Sequence, residues 1–334
     1  MPDPIRRTAL LAALASTAWM LPAMPAAAQP QSSAAWPAGR PIRIVVAYPA
    51  GGVSDAVARA LADRLGPQLG TTVVVENKAG ASGILGMDAV AKAAPDGYTL
   101  GFSAISPLAL SPHLARSPFD PVRDIAPVAG VMYSPVVLLA TSASATPDFK
   151  ALLADAAARP GAVRWATSGQ ASVGHLVLEQ LRRATGVDIT HVPYKGGGQQ
   201  MADALGGQFE VLSTNAGPTV AQHVRTGKLR PLAVGAPARL ESLPGVPTLG
   251  ELGFAAANQA SVFGIFAPAR VPAPVLARLN AEINRALAHP ELRQRLVETG
   301  NVPTGGTASA FAQAIAAESA ANARIVQSAH IRSE

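Results

Sequence analysis

The chain has no cysteine among its 334 residues. That excludes a disulfide scaffold, a thiolate zinc site, a cysteine nucleophile and the lipid-modified cysteine of a bacterial lipoprotein. Aromatic residues make up only 4%, too few for a base-stacking surface or an aromatic sugar platform. Charged residues are also sparse, at 14% against 49% hydrophobic ones, so the chain can bury a large core and is not a disordered segment. Beyond the first thirty residues no run reaches ~18 uninterrupted apolar positions, and no membrane-spanning helix is expected in the mature chain. The length suits two domains or one large one.

What charge there is leans basic, with a formal net charge of +6 and an isoelectric point near 10.0. Of the 27 basic residues 22 are arginine, and they are scattered along the chain rather than gathered into a block. Nucleic acid is therefore not an expected partner.

The first thirty residues read as an address. Arg6 and Arg7 precede an apolar stretch from Thr8 to Met20, and Ala26-Ala27-Ala28 follows before Gln29. This order of basic, apolar and small residues is that of a secretory signal peptide over 1–28, cleaved after Ala28. Residues 29–38 are rich in Pro, Ala and Ser and read as a mobile leader. The expected location is periplasmic.

After the leader, short β-branched runs alternate with helical patterns, the grammar of α/β units around a mainly parallel sheet. Ile42–Tyr48 reads as a buried strand, followed by a helix capped by Ser54 or Asp55 and stopped at Gly66-Pro67. Further strands are expected at Thr72–Glu76, Tyr98–Ser103, Val136–Ala140, Val163–Ala166, Ile189–Val192, Phe209–Ser213 and Leu229–Val234. Val173, Leu176, Val177, Leu181 and Ala184 share one helical face that stops at Gly186. From Pro272 onward the pattern is helical. Two lobes of similar size fit this order, with 39–136 plus 263–334 forming one and 137–262 the other.

Three loops carry residues suited to chemistry. The first, Tyr48-Pro49-Ala50-Gly51-Gly52-Val53-Ser54-Asp55, joins a buried strand to a helix, where free backbone amides and the helix dipole favour an anion. The same residues also fit an ordinary βα turn. Neither nucleotide-loop spacing is present, and Ala56 stands where a nucleophile elbow has its second Gly, so no cofactor is expected. The second, Thr167-Ser168-Gly169-Gln170-Ala171-Ser172-Val173-Gly174-His175, occupies the matching position in the other half and offers three hydroxyls. Two such helix entrances facing each other would bind a carboxylate with no buried cation. His175 either touches that ligand or satisfies local backbone. In the third loop, His191 to Gly198, Lys195 can pair with an anion and Tyr194 can wall a pocket, or the segment is a plain Gly-rich turn. The six histidines lack helical metal-ligand spacing, and no metal is expected.

Taken in order, these loops and four other segments resemble the Bug-type periplasmic solute-binding receptors of tripartite tricarboxylate transporters. The resemblance runs from about Trp36 to the C-terminal helices. Besides the first and third loops it rests on Val75-Glu76-Asn77-Lys78-Ala79-Gly80-Ala81, Pro95-Asp96-Gly97-Tyr98-Thr99-Leu100, Gly227-Lys228-Leu229-Arg230-Pro231-Leu232-Ala233-Val234 and Pro247-Thr248-Leu249-Gly250-Glu251-Leu252-Gly253. It implies an α/β, two-lobe, Venus-flytrap fold with the ligand in the cleft between lobes. Tyr48, Ala50, Gly51, Gly52, Val53, Ser54 and Asp55 would hold it from one side. Thr167, Ser168, Gly169, Ser172, His175, Tyr194 and Lys195 would hold it from the other. The implied ligand is a di- or tricarboxylate, an acidic amino acid or an aromatic acid. The implied partner is an inner-membrane permease, the receptor itself acting as a monomer. A periplasmic serine hydrolase using Ser54, Ser82 or Ser168, and a ligand sensor acting through a signalling partner, are the alternatives.

Overall fold

A computed structural model describes residues 36–329. The expected signal peptide and most of the leader lie outside the described residues. Trp36 and Pro37, grouped with the leader on sequence, pack onto the fold: the Trp36 and Tyr98 rings lie 6.0 Å apart, and the Tyr98 hydroxyl donates to the Pro37 carbonyl at 2.7 Å. An apolar ring and a bonded carbonyl hold this piece of chain.

The chain opens with β1 (Ile42–Val46), α1 (Val53–Leu69), β2 (Val73–Asn77), α2 (Ile84–Ala91), β3 (Thr99–Ala104) and two short helices, α3 (Ser106–Ala109) and α4 (Ser111–Leu114). β1 lies between β2 and β3 and runs parallel to both. Its alternation builds two cores: Ile42, Ile44 and Val46 pack with Leu61, Leu65 and Phe102 on one face, while Val45 packs with Met87, Val90 and Phe266 on the other. Each such aliphatic side chain, fully withdrawn from water, contributes about 1.5–3 kcal/mol.

β4 (Ile125–Ala140) is 16 residues long and ties the molecule together. Its first part pairs with β9 (Ala260–Pro268) as far as Pro135↔Ala260; from Val136 it pairs instead with β7 (Val211–Asn215) and β8 (Arg230–Gly235), all antiparallel. Only the second part, Val136–Ala140, reads as strand in the sequence, because Pro127 and Pro135 punctuate the rest. A register shift beside Pro127 accommodates one missing N–H, as expected for proline within a sheet. Between β4 and β8 the chain forms α5 (Phe149–Ala158), β5 (Arg164–Thr167), α6 (Val173–Thr185), β6 (Thr190–Pro193), α7 (Gly197–Leu205) and α8 (Pro218–Arg225). β5 runs parallel to β6 and β7. After β9 come α9 (Ala273–Leu287), α10 (Pro290–Glu298), β10 (Val302–Pro303) and α11 (Ala308–Ala329).

The strand order is β2-β1-β3-β9-β4-β7-β5-β6, with β8 and β10 also on β4. Each end of the sheet is thus a parallel βα set, and the linking strands β4 and β9 make the middle antiparallel. The second half repeats the two-sided burial: Val136 and Leu138 pack with Trp165 and Leu181, and Val137 and Leu139 with Ala166 and Leu212.

Helix α1 departs from the sequence reading at both ends. Gly52 occupies the N-cap, and the helix runs past Gly66-Pro67 to Leu69. Asp55 sits in the first turn, from which its carboxylate reaches back to accept from the Gly51 amide at 3.0 Å, a variant of the capping box. Pro67 lies in the last turn and leaves the carbonyl four residues earlier without its helical donor, so the helix ends two residues later. Left-handed Gly70 then closes the helix by donating to the Gly66 and Pro67 carbonyls.

A candidate binding cavity ringed by helix starts

Four helix N-termini meet around a cavity of about 320 Å³. Gly52 and Val53 bring in α1, Ser172 and Val173 bring in α6, Gly197 and Gly198 bring in α7, and Gly217 and Pro218 bring in α8. The first backbone bonds of α1, α6 and α8 are donated by Ala56, Leu176 and Ala221. Among the described residues this leaves the amides of Val53, Ser54, Val173, Gly174, Thr219 and Val220 without backbone partners at the cavity wall. Unpaired amides at a helix start carry partial positive charge and favour an anion. Among the described residues no Asp, Glu, Lys, Arg or His lines the cavity.

The first loop is braced from behind. Arg59 pairs with Asp55 at 2.9 Å and donates to Asn77 Oδ1 at 3.1 Å, and Asn77 Nδ2 donates to the Tyr48 carbonyl at 3.1 Å. Burial opposes ionisation of Asp55, but hydrogen bonds from Arg59, the Gly51 amide and Asn77, with the Arg59 charge, outweigh it and hold the carboxyl below its usual range. The Gly51 amide, which the sequence offers to a ligand, is therefore occupied by Asp55. Burial pushes the Tyr48 phenol up to about 12, so the ring presents a neutral wall.

The second loop is pinned by histidines. Thr167 is fully buried, and its Oγ1 meets His191 Nε2 at 2.8 Å and accepts from the Gly169 amide at 3.3 Å. Ser172 caps α6, its hydroxyl accepting from the His175 amide at 3.3 Å. His175 Nδ1 accepts from the Ala171 amide at 3.4 Å, and the His175 and His191 rings stack 4.2 Å apart and nearly parallel, at 2°. Burial drives the His191 imidazole down to about 3, helped by His175 and Arg182 and opposed by Glu179.

Of the residues singled out in the sequence, Tyr48, Ala50, Gly51, Gly52, Val53, Ser54, Ser168 and Ser172 line the cavity. Asp55 and Thr167 stand behind it as braces. Gly169, His175, Tyr194 and Lys195 line a second, broader cleft of about 820 Å³. The two spaces share Pro49 and Ser82, and between them the Ser82 hydroxyl donates to the Gln170 carbonyl. The Tyr194 hydroxyl donates to Asp203 at 2.7 Å, and burial together with that bond pushes the phenol up to about 12.

Sequence reasoning missed the wall built by Ser213–Asn215, the α8 entrance, Ser261 and Phe263. The α8 entrance had a signal, because Gly217-Pro218 places Pro at the first helical position. Serines on strands carry no comparable mark. Among the described residues no group of His, Asp and Glu is placed to hold a metal ion, and no helix is long and apolar enough to cross a membrane.

The chain is similar to known proteins in sequence and in fold. The family profile described as tripartite tricarboxylate transporter family receptor (TctC) matches residues 57–331. Protein BugT of Bordetella pertussis is 39% identical over 282 residues, covering 84% of this chain and 86% of BugT. The R. palustris protein Rpa4515, solved with adipate, superposes with a TM-score of 0.84 at 30% identity, over 89% of this chain and 99% of that one. MatC from Rhodopseudomonas palustris, solved with bound malate, gives 0.80 at 29% identity, over 86% and 99%. The fold is that of the periplasmic binding proteins, and the chain belongs to the tripartite tricarboxylate transporter receptor family.

Proposed function

We propose that this protein captures a small carboxylate in the cavity between the two halves of its sheet and hands it to an inner-membrane permease. The observation that carries the reading is the ring of helix starts, whose unpaired amides face a space lined by no charged side chain. Such a site holds a carboxylate by fixed dipoles and neutral hydroxyls, and releases it without breaking a buried ion pair. The adipate bound by one relative and the malate bound by another support the ligand class. In this reading 39–136 plus 263–334 and 137–262 are the two moving lobes. The protein acts as a monomer in the periplasm after cleavage behind Ala28.

A hydrolase is the weaker reading. Ser82 already donates to Gln170, while His175 and His191, beside the second loop, are engaged with Ala171, Thr167 and each other. The mature protein is tested against a panel of di-, tri- and aromatic carboxylates by thermal shift, beside a chromogenic ester screen. A ligand at one hundred times its Kd stabilises by about 2.7 kcal/mol, on the order of 5–10 °C for a chain of this size. Such a shift without ester turnover is expected. Ester turnover with no carboxylate shift would overturn the proposal.

A further inference from the structure

Asn215 ends β7 and lines the cavity. The orientation of its side-chain amide is fixed by what it touches. Nδ2 donates to the Ser134 carbonyl at 3.0 Å and to Ser261 Oγ at 2.9 Å. A backbone carbonyl only accepts, so the nitrogen must be the atom facing Ser134. Both amide hydrogens are then in use. Oδ1 is left as an acceptor without a protein partner among the described residues, and it is not one of the sealed, unpartnered polar atoms of the interior. It therefore opens onto accessible space at a cavity wall whose helix starts otherwise offer donors.

We infer that Asn215 selects, among carboxylates, those that carry a neutral hydrogen-bond donor such as a hydroxyl or carboxamide at the point that meets Oδ1. The inference rests on the carboxylate reading and sharpens it. A second carboxylate oxygen placed there sets lone pairs against lone pairs and loses its water. An ammonium group supplies a donor but also a charge, and no acidic side chain lines the cavity to balance it. Hydroxy acids and the monoamides of dicarboxylic acids fit; plain dicarboxylates and acidic amino acids fit less well.

Calorimetric titration of the mature protein with matched four- to six-carbon sets tests this: each unsubstituted dicarboxylate against its 2-hydroxy, 2-amino and monoamide forms. One satisfied neutral hydrogen bond is worth roughly three- to tenfold in affinity. At the chain length that binds best, the hydroxy or monoamide form should lead the parent acid by that factor, with the amino form weaker than the hydroxy form. Asn215→Ala should bring hydroxy and parent acids to about equal affinity, within roughly twofold, without abolishing binding of the parent. Should that variant fail to fold, the wild-type ratios decide alone. A parent acid that equals or exceeds its hydroxy and monoamide forms overturns the assignment and leaves the carboxylate reading intact. No binding by any acid overturns both.

Discussion

His191 shows how a single half-buried side chain couples the second loop to pH. Its imidazole is held down to about 3 by burial, whereas in an unfolded chain it titrates near ~6.5. Between those values the unfolded chain binds a proton that the folded one refuses, so stability is lost as pH falls through this window. Between about pH 7 and 5 the buried Asp55 and the half-buried Glu179 and Glu210, all held below their usual range, stay ionised and add little slope. Glu318 works the other way, because burial raises its carboxyl. The comparison is therefore made between wild type and His191→Gln. Discounted for partial exposure, the His191 contribution at pH 5 is about 1–2 kcal/mol. Wild type should lose about 2–6 °C more than the variant on going from pH 7 to 5, and equal losses would show that the imidazole is not held neutral. The sequence made the loop residues visible, since Gly51, Gly52, Ser54, Ser168 and Ser172 announce themselves by type and position. It did not separate lining from bracing. Asp55, Thr167 and His175 hold the loops rather than face the cavity, because those roles depend on partners brought from other strands and helices, such as His191.

Among the elements, the loops of the two sheet halves meet at close quarters. Gly196, before α7, packs against the Pro49 ring from the first loop, and a Cβ there would overlap that ring. Its φ of 162° is extended backbone open to any residue, so alanine is excluded only by the contact across the cleft. Gly196→Ala should therefore fold normally but resist bringing the loops together. Overpacking of about 1–3 kcal/mol corresponds to a loss of roughly five- to 150-fold in ligand affinity. An unchanged Kd would mean that binding does not need this contact. The elements that carry the loops were legible: β1, α1, β5 and α6 follow from alternating or helical apolar patterns, to within a few residues. β9 and the first part of β4 were not. Gly264 interrupts the apolar run of β9, while Pro127 and Pro135 interrupt β4, and these strands are stabilised by long-range pairing with each other and with β3 and β10. That pairing also turns the expected parallel sheet into a mixed one at its centre.

The whole molecule brings four helix starts, from opposite sides of the β4–β9 link, onto one cavity that no charged side chain lines among the described residues. Local sequence carried two of those starts as a matched pair, and the fold added the entrances of α7 and α8. The broader cleft beside the cavity holds the exposed Lys195 and is the natural competitor for an anion. The claim that fixed dipoles rather than a cation hold the ligand is tested most directly by a crystal structure of the mature protein with the carboxylate that most raises its melting temperature. Carboxylate oxygens are expected to be hydrogen-bonded to amides of Val53–Ser54 and to the Ser168–Gly174 loop, with no lysine or arginine paired to them. A carboxylate seated instead in the outer cleft against Lys195 would contradict it.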